Sequence, residues 1–394
     1  MLDKAARDDQ QRAREIINSV FLFVESALPA SLRNAEEIRF RTSKRSSFDA
    51  YIPLHQNPGI DVVVNLGLID AIYAALVDFF SKTENEEFLS PLASYDAEQL
   101  SDVRCRNIIF TFALSFACFH EAGHIAGGHV ERAKQQLGSS TMDAARLSFS
   151  EVGGHGRLLH ASEADDVEMA SDVSETEELS QTLESKIAEL EADSVATEFL
   201  VEFAVDIVEM LVERDVLEMA HSDPSIMAHL DALLFCGIAT VLVMIEVERS
   251  EQDEAAIDYP TPATRLLNIF TTAINWHDRD RQLDPLNQSR RCSVSVDTSD
   301  PDDMAGYVAT VVLRTLAYAR GLGIAVGQER ALTRMGLDAI DPSQGFLGDL
   351  LQLLRRMPPH GTLAGREISA LNEHLALFQD HLSSFRQTNW WTQI

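Results

Sequence analysis

The chain has 394 residues, 45% of them hydrophobic, which is enough apolar material for one large domain or two. Its 62 acidic residues outnumber 32 basic ones, for a formal net charge of -30. That balance argues against nucleic acid as the partner, because phosphate binding needs a basic face, and suits a basic protein or peptide substrate.

Residues 1–11 are charged and lack the apolar core of a secretion signal. Residues 13–28 read as an amphipathic helix. Ile38-Arg39-Phe40-Arg41 alternates like a strand, and residues 47–54 and 60–65 are further short strands separated by Asn57-Pro58-Gly59. Together they predict a small N-terminal sheet, with Arg39, Arg41, Lys44 and Arg45 as a solvated face. Residues 66–82 read as a helix. After a polar loop, a long helix starts near Ala97 or Val103 and runs to Gly127.

An insertion follows, at about 137–186. Residues 137–150 carry one expected helix, and Gly153-Gly154-His155-Gly156 is a flexible turn. Residues 163–184 are strongly acidic, a composition expected to be disordered or a solvated helix. His155 and His160 read as solvated loop histidines. A helix is expected through residues 188–200. The longest uninterrupted apolar run, residues 232–245, lies between Asp231 and Glu246. It falls short of the roughly 18 residues a membrane span needs. No stable membrane insertion is therefore expected. The four cysteines, Cys105, Cys118, Cys236 and Cys292, form no close pair and read as reduced and mostly buried. Both features predict a cytoplasmic protein.

Thr261 as N-cap and Pro262 at the first helical position open a helix that continues to His277. Residues 292–296 read as a strand, and residues 304–326, 345–356 and 366–386 have helical apolar spacing. Pro358-Pro359 and Gly361 separate the last two. Trp390-Trp391 lie near the end, placed to pack on the core or meet a partner. The expected fold is mainly α (α+β), with residues 1–265 as one domain and 266–394 as a helical region packed on it.

The chemistry concentrates at His120-Glu121-Ala122-Gly123-His124, which ends an apolar run. Two histidines four apart on a helix share a face, so both can offer a ring nitrogen to one zinc ion. Glu121 can then take a proton from zinc-bound water. Catalytic zinc uses three protein ligands. His129 sits one residue before the position of a third metzincin histidine, which here is Val130, and is set aside as a ligand. Glu189 and Asp193, also i,i+4, share a helix face. Glu189 can ligate the metal while Asp193 orients a ligating histidine through its other nitrogen. Glu191 faces another way and is the weaker ligand.

His120, Glu121, His124 and His129 followed by Glu189-x-x-Ala192-Asp193 resemble the gluzincin metallopeptidases. The fuller pattern resembles the branch containing HtpX and the CAAX prenyl proteases. Its later His-Pro-x-x-x-x-Arg is matched in spacing by residues 259–265, with Tyr259 in place of histidine and Arg265 kept. The soluble Lit-type phage-exclusion peptidases are similar in the His-Glu-x-x-His stretch and general layout. The resemblance implies a zincin-like core, with a sheet edge over the catalytic helix where substrate pairs as a strand. It implies a zinc endopeptidase with Zn2+ on His120, His124 and Glu189, and Glu121 as general base. Asp193 and His129 stand behind the ligands, and Tyr259 or Arg265 stabilises the oxyanion. The branch's membrane-embedded members have spans, so this chain is expected to be a soluble version. The alternative is a metal-binding regulatory or sensor protein that keeps the site but cleaves nothing.

Overall fold

The computed structural model describes residues 2–28, 38–54, 59–82, 102–137, 145–148, 159–160, 175–210, 224–251, 259–283, 300–327, 342–359 and 361–382. These residues are mainly helical with one small sheet. The helices are α1 Leu2–Ala27, α2 Leu66–Phe80, α3 Asp102–Ala126, α4 His129–Leu137, α5 Glu175–Glu202, α6 Ala204–Glu209 and α7 Pro224–Glu251. They continue as α8 Pro262–Leu283, α9 Pro301–Tyr307, a π-helical turn Val308–Val312, α10 Leu313–Ala325, α11 Pro342–Leu354 and α12 Leu363–Leu382. Strands β1 Ile38–Ser43, β2 Ala50–Pro53, β3 Ile60–Asn65, β4 Ala145–Ser148 and β5 Leu159–His160 form a sheet of order β1-β3-β2-β4-β5.

Along β3, Ile60, Val62 and Val64 are buried while Asp61 and Val63 are half-buried, the period of two that a one-sided sheet requires. β1 runs parallel to β3, with Ile38 opposite Ile60, and β2 runs antiparallel to it, with Ala50 opposite Val64. The sheet lies against α1 and α3.

Helix α3 is the centre of the fold. Every residue from Asn107 to Val130 is buried, as expected of a helix that is apolar on all sides. It packs between α5 and α7, and two glycines permit the close approach. A Cβ on Gly123 would lie 2.9 Å from the Cα of Ala192 on α5, and one on Gly237 of α7 would lie 2.6 Å from the Cβ of Phe112. Three buried threonine hydroxyls are satisfied locally, since Thr111, Thr197 and Thr240 each donate to the carbonyl four residues back at 2.7 Å.

Of the two alternatives for the acidic segment, residues 175–184 take the helix: Glu is a good helix former, and Glu184 pairs with Arg132 of α4. Two expectations change. Residues 145–148 form a strand rather than part of a helix, because β2 offers them an open edge, with Tyr51 opposite Ser148. Residues 163–174, His155, Cys292 with the strand expected at 292–296, and Trp390-Trp391 lie outside the described residues. Cys105, Cys118 and Cys236 are buried.

The second change concerns the membrane. Among the described residues three helices are long and apolar enough to cross one: Cys105–Ala126 with 22 residues and mean hydropathy 1.4, Ala228–Glu248 with 21 and 2.2, and Met304–Ala325 with 22 and 1.3. Counting uninterrupted apolar residues ends a run at each threonine, serine or histidine, whereas transfer into a bilayer sums over the whole window. By length and composition these helices point to a membrane-associated protein, so the expected cytoplasmic location does not stand. The first window is 100% and the second 94% covered by the protein itself, the third only 47%.

Candidate metal centre

Helix α3 sets His120 and His124 one turn apart, on the side that meets α5. The contact of Gly123 with Ala192 brings the two backbones together, and Glu189 lies one turn before Ala192. The three side chains converge. The Nε2 atoms of His120 and His124 are 3.1 Å apart, and each lies 3.4 Å from a Glu189 carboxylate oxygen. Among the described residues this is the group of His, Cys, Asp or Glu side chains that could hold a metal ion, and all three are buried.

The surrounding charges fit a cation. Asp193 is a carboxylate, so His120 donates to it from Nδ1, at 2.9 Å, and leaves a lone pair on Nε2. That lone pair faces a second imidazole nitrogen and a carboxylate. Glu189 Oε2 is buried without a hydrogen-bond partner. A buried anion flanked by lone pairs is what a divalent cation would relieve.

Glu121 is fully buried, and neither carboxylate oxygen has a hydrogen-bond partner. The charges of Asp49 and Glu189 bear on it. No local pattern marks Asp49, which is buried just before β2 and reaches this site only through the fold.

Arg265, on the first turn of α8, binds Asp193 bidentately: Nε donates to Oδ2 at 2.8 Å and Nη2 to Oδ1 at 2.7 Å. Burial works against the guanidinium charge, but Asp193 and, after it, Glu189 keep its pKa above the ordinary value. Two of its donors are thus committed to Asp193. Tyr259 is buried and close enough to Arg265 for its charge to bear on the guanidinium. His129 folds back over the end of α3, with its Nδ1 2.8 Å from Nδ1 of His124 and its Nε2 3.1 Å from Glu191. Glu191 therefore meets a histidine behind the ligands instead of the ligand triangle.

Compared with protein-family models, with curated proteins and with solved structures, the chain matches none significantly.

Proposed function

We propose that the protein is a zinc-dependent endopeptidase of gluzincin type, built on a zincin-like core and hydrolysing peptide bonds of a protein substrate. The observation that carries this reading is the buried triangle of His120, His124 and Glu189, with edges of 3.1, 3.4 and 3.4 Å. Ligands about 2.05 Å from a tetrahedral zinc are spaced about 3.3 Å apart. The donor set, two imidazoles and a carboxylate, is also that of catalytic zinc. Zinc bound there would polarise a scissile carbonyl and acidify water.

Glu121, next to the first ligand, takes the proton from water at its carboxylate and delivers it to the leaving amine. Asp193 fixes the His120 ring, and Arg265 fixes Asp193, so Arg265 works through Asp193. The three long apolar helices support the likeness to the HtpX branch, since they remove the expected difference from its membrane-embedded members.

A second reading keeps the metal without the chemistry. The three ligands and Glu121 are between 0% and 4% exposed, and closed sites are typical of structural zinc. Zinc content and proteolysis of an unfolded protein substrate, measured for wild type and Glu121→Gln, decide between the two. Peptidase function requires that both proteins hold zinc and only wild type cleaves. Zinc in both with cleavage by neither leaves the structural or regulatory reading, and equal cleavage by both removes Glu121 as the base.

A further inference from the structure

The two histidines of the centre are supported differently. His120 donates directly to a carboxylate, that of Asp193. His124 points its Nδ1 at another histidine, and only behind that lies a carboxylate, Glu191. We propose that His129 and Glu191 form a positioning relay that fixes His124 in the tautomer that presents Nε2 to a metal. The proposal rests on the metal-centre reading above.

Proton placement along the relay follows from its far end. Glu191 accepts, so His129 donates from Nε2. A neutral His129 then has a lone pair on Nδ1 and accepts there, and the donor across the 2.8 Å contact is Nδ1–H of His124. With its proton on Nδ1, His124 has the lone pair on Nε2, 3.1 Å from Nε2 of His120. Each ligand ring is thus committed to the same tautomer by a buried carboxylate, one directly and one through an intervening imidazole. His129, Glu191 and Asp193 are all buried, so solvent does not compete for these bonds.

The chain is built locally to allow this. Helix α3 ends at Ala126, and Gly128 takes a left-handed φ of 79°, which reverses the chain and starts α4 at His129. A Cβ on Gly127 would lie 2.8 Å from Nε2 of His129, where the folded-back ring sits. The paired glycines therefore serve two purposes, one for the turn and one for the ring. His129 is out of register to be a third ligand but in position to brace the second.

The test reads metal affinity rather than activity. Zinc affinity by chelator competition and the visible spectrum of the cobalt(II) form are measured on full-length wild type, His129→Phe, His129→Gln, His129→Asn and Gly127→Ala. The terminal group of glutamine overlays Nε2 of the ring, whereas the asparagine oxygen overlays Nδ1 and can accept from His124. Phe and Gln should weaken zinc binding roughly 10–100-fold and alter the cobalt spectrum, as losing the group behind a ligand does. Asn should stay within about threefold of wild type, and Gly127→Ala should fall on the weak side although His129 is intact. A merely structural His129 gives a different pattern, in which Phe retains affinity or Asn is as weak as Phe, and either result overturns the relay. Should Phe fail to fold, the Gln and Asn pair decides alone. Absence of zinc binding by wild type would overturn the relay and the centre together. Absence of peptidase activity with this affinity pattern intact would overturn only the proposed reaction.

Discussion

Among the described residues the core holds two histidine–aspartate pairs, His120–Asp193 at 2.9 Å and His277–Asp231 at 3.1 Å, and all four side chains are fully buried. They differ in what surrounds them. Arg265 neutralises Asp193, and the outward nitrogen of His120 meets His124 and Glu189. His277 spends Nε2 on Asp231, its Nδ1 has no hydrogen-bond partner, and the rings of Trp276 and Tyr307 stand 5.9 Å away. A buried histidine–aspartate pair is thus not a metal site. The site arises where two further electron-rich groups converge on the histidine and an arginine offsets the charge behind it.

The largest expected effect tests that distinction directly. His120→Ala combined with His124→Ala should reduce bound zinc from about one per chain to near zero. His277→Ala should leave zinc content unchanged. Equal loss in both, measured by elemental analysis, would break the comparison.

Next in size is the charge behind the first pair. Arg265→Met leaves the buried Asp193 carboxylate without its cation, with the His120 ring still donating to it, and breaking a buried ion pair from one side costs about 3–5 kcal/mol. Asp231→Asn removes a charge and leaves a neutral side chain of the same shape, so its cost in urea unfolding should be smaller, about 1–3 kcal/mol.

Gly123→Ala sharpens the comparison from the packing side. The added methyl meets the Ala192 backbone at 2.9 Å, where little can yield. Overpacking of this kind costs about 1–3 kcal/mol, and because it separates α3 from α5, zinc affinity should fall as well. Stability lost without loss of affinity would mean that Glu189 is held by something other than this contact.

The smallest effect lies on the outer side of α5 and α8. Glu367 of α12 accepts from Lys186 at 2.7 Å, from the Thr264 hydroxyl at 2.6 Å and from the Thr261 amide at 3.1 Å, and so ties both helices together. Burial raises its pKa, but Lys186 and Thr264 bring it below the ordinary glutamate value of 4.5. A depressed carboxylate contributes stability above its unfolded pKa and loses it as pH falls through the folded one. Glu367→Gln should therefore cost about 1.5 kcal/mol at pH 7, with the gap to wild type closing below pH 4.5. Parallel stability curves down to strongly acid pH would contradict this.

What could be read in the sequence was whatever local spacing determines. The i,i+4 repeat puts His120 and His124 on one helix face and Glu189 and Asp193 on another, and the alternation in residues 38–41 and 60–65 marks two strands. Contacts between distant segments could not be read this way. Nothing near Gly123 announces Ala192, and nothing near Asp49 announces Glu121. The place of His129 depends on a positive φ at Gly128 and a missing Cβ at Gly127, neither of which a ligand motif encodes. Strand β4 needs β2 as its partner, so its own residues carry a weak signal. Interrupted apolar runs concealed three helices of membrane-spanning length.

The central claim is that His120, His124 and Glu189 hold one zinc ion. X-ray absorption at the zinc edge of the purified full-length protein tests it most directly. The expected result is a shell of nitrogen and oxygen only, at about 2.0–2.2 Å, with the outer-shell signature of two imidazoles. A sulfur shell at about 2.3 Å, or the same spectrum in Glu189→Ala, would contradict it.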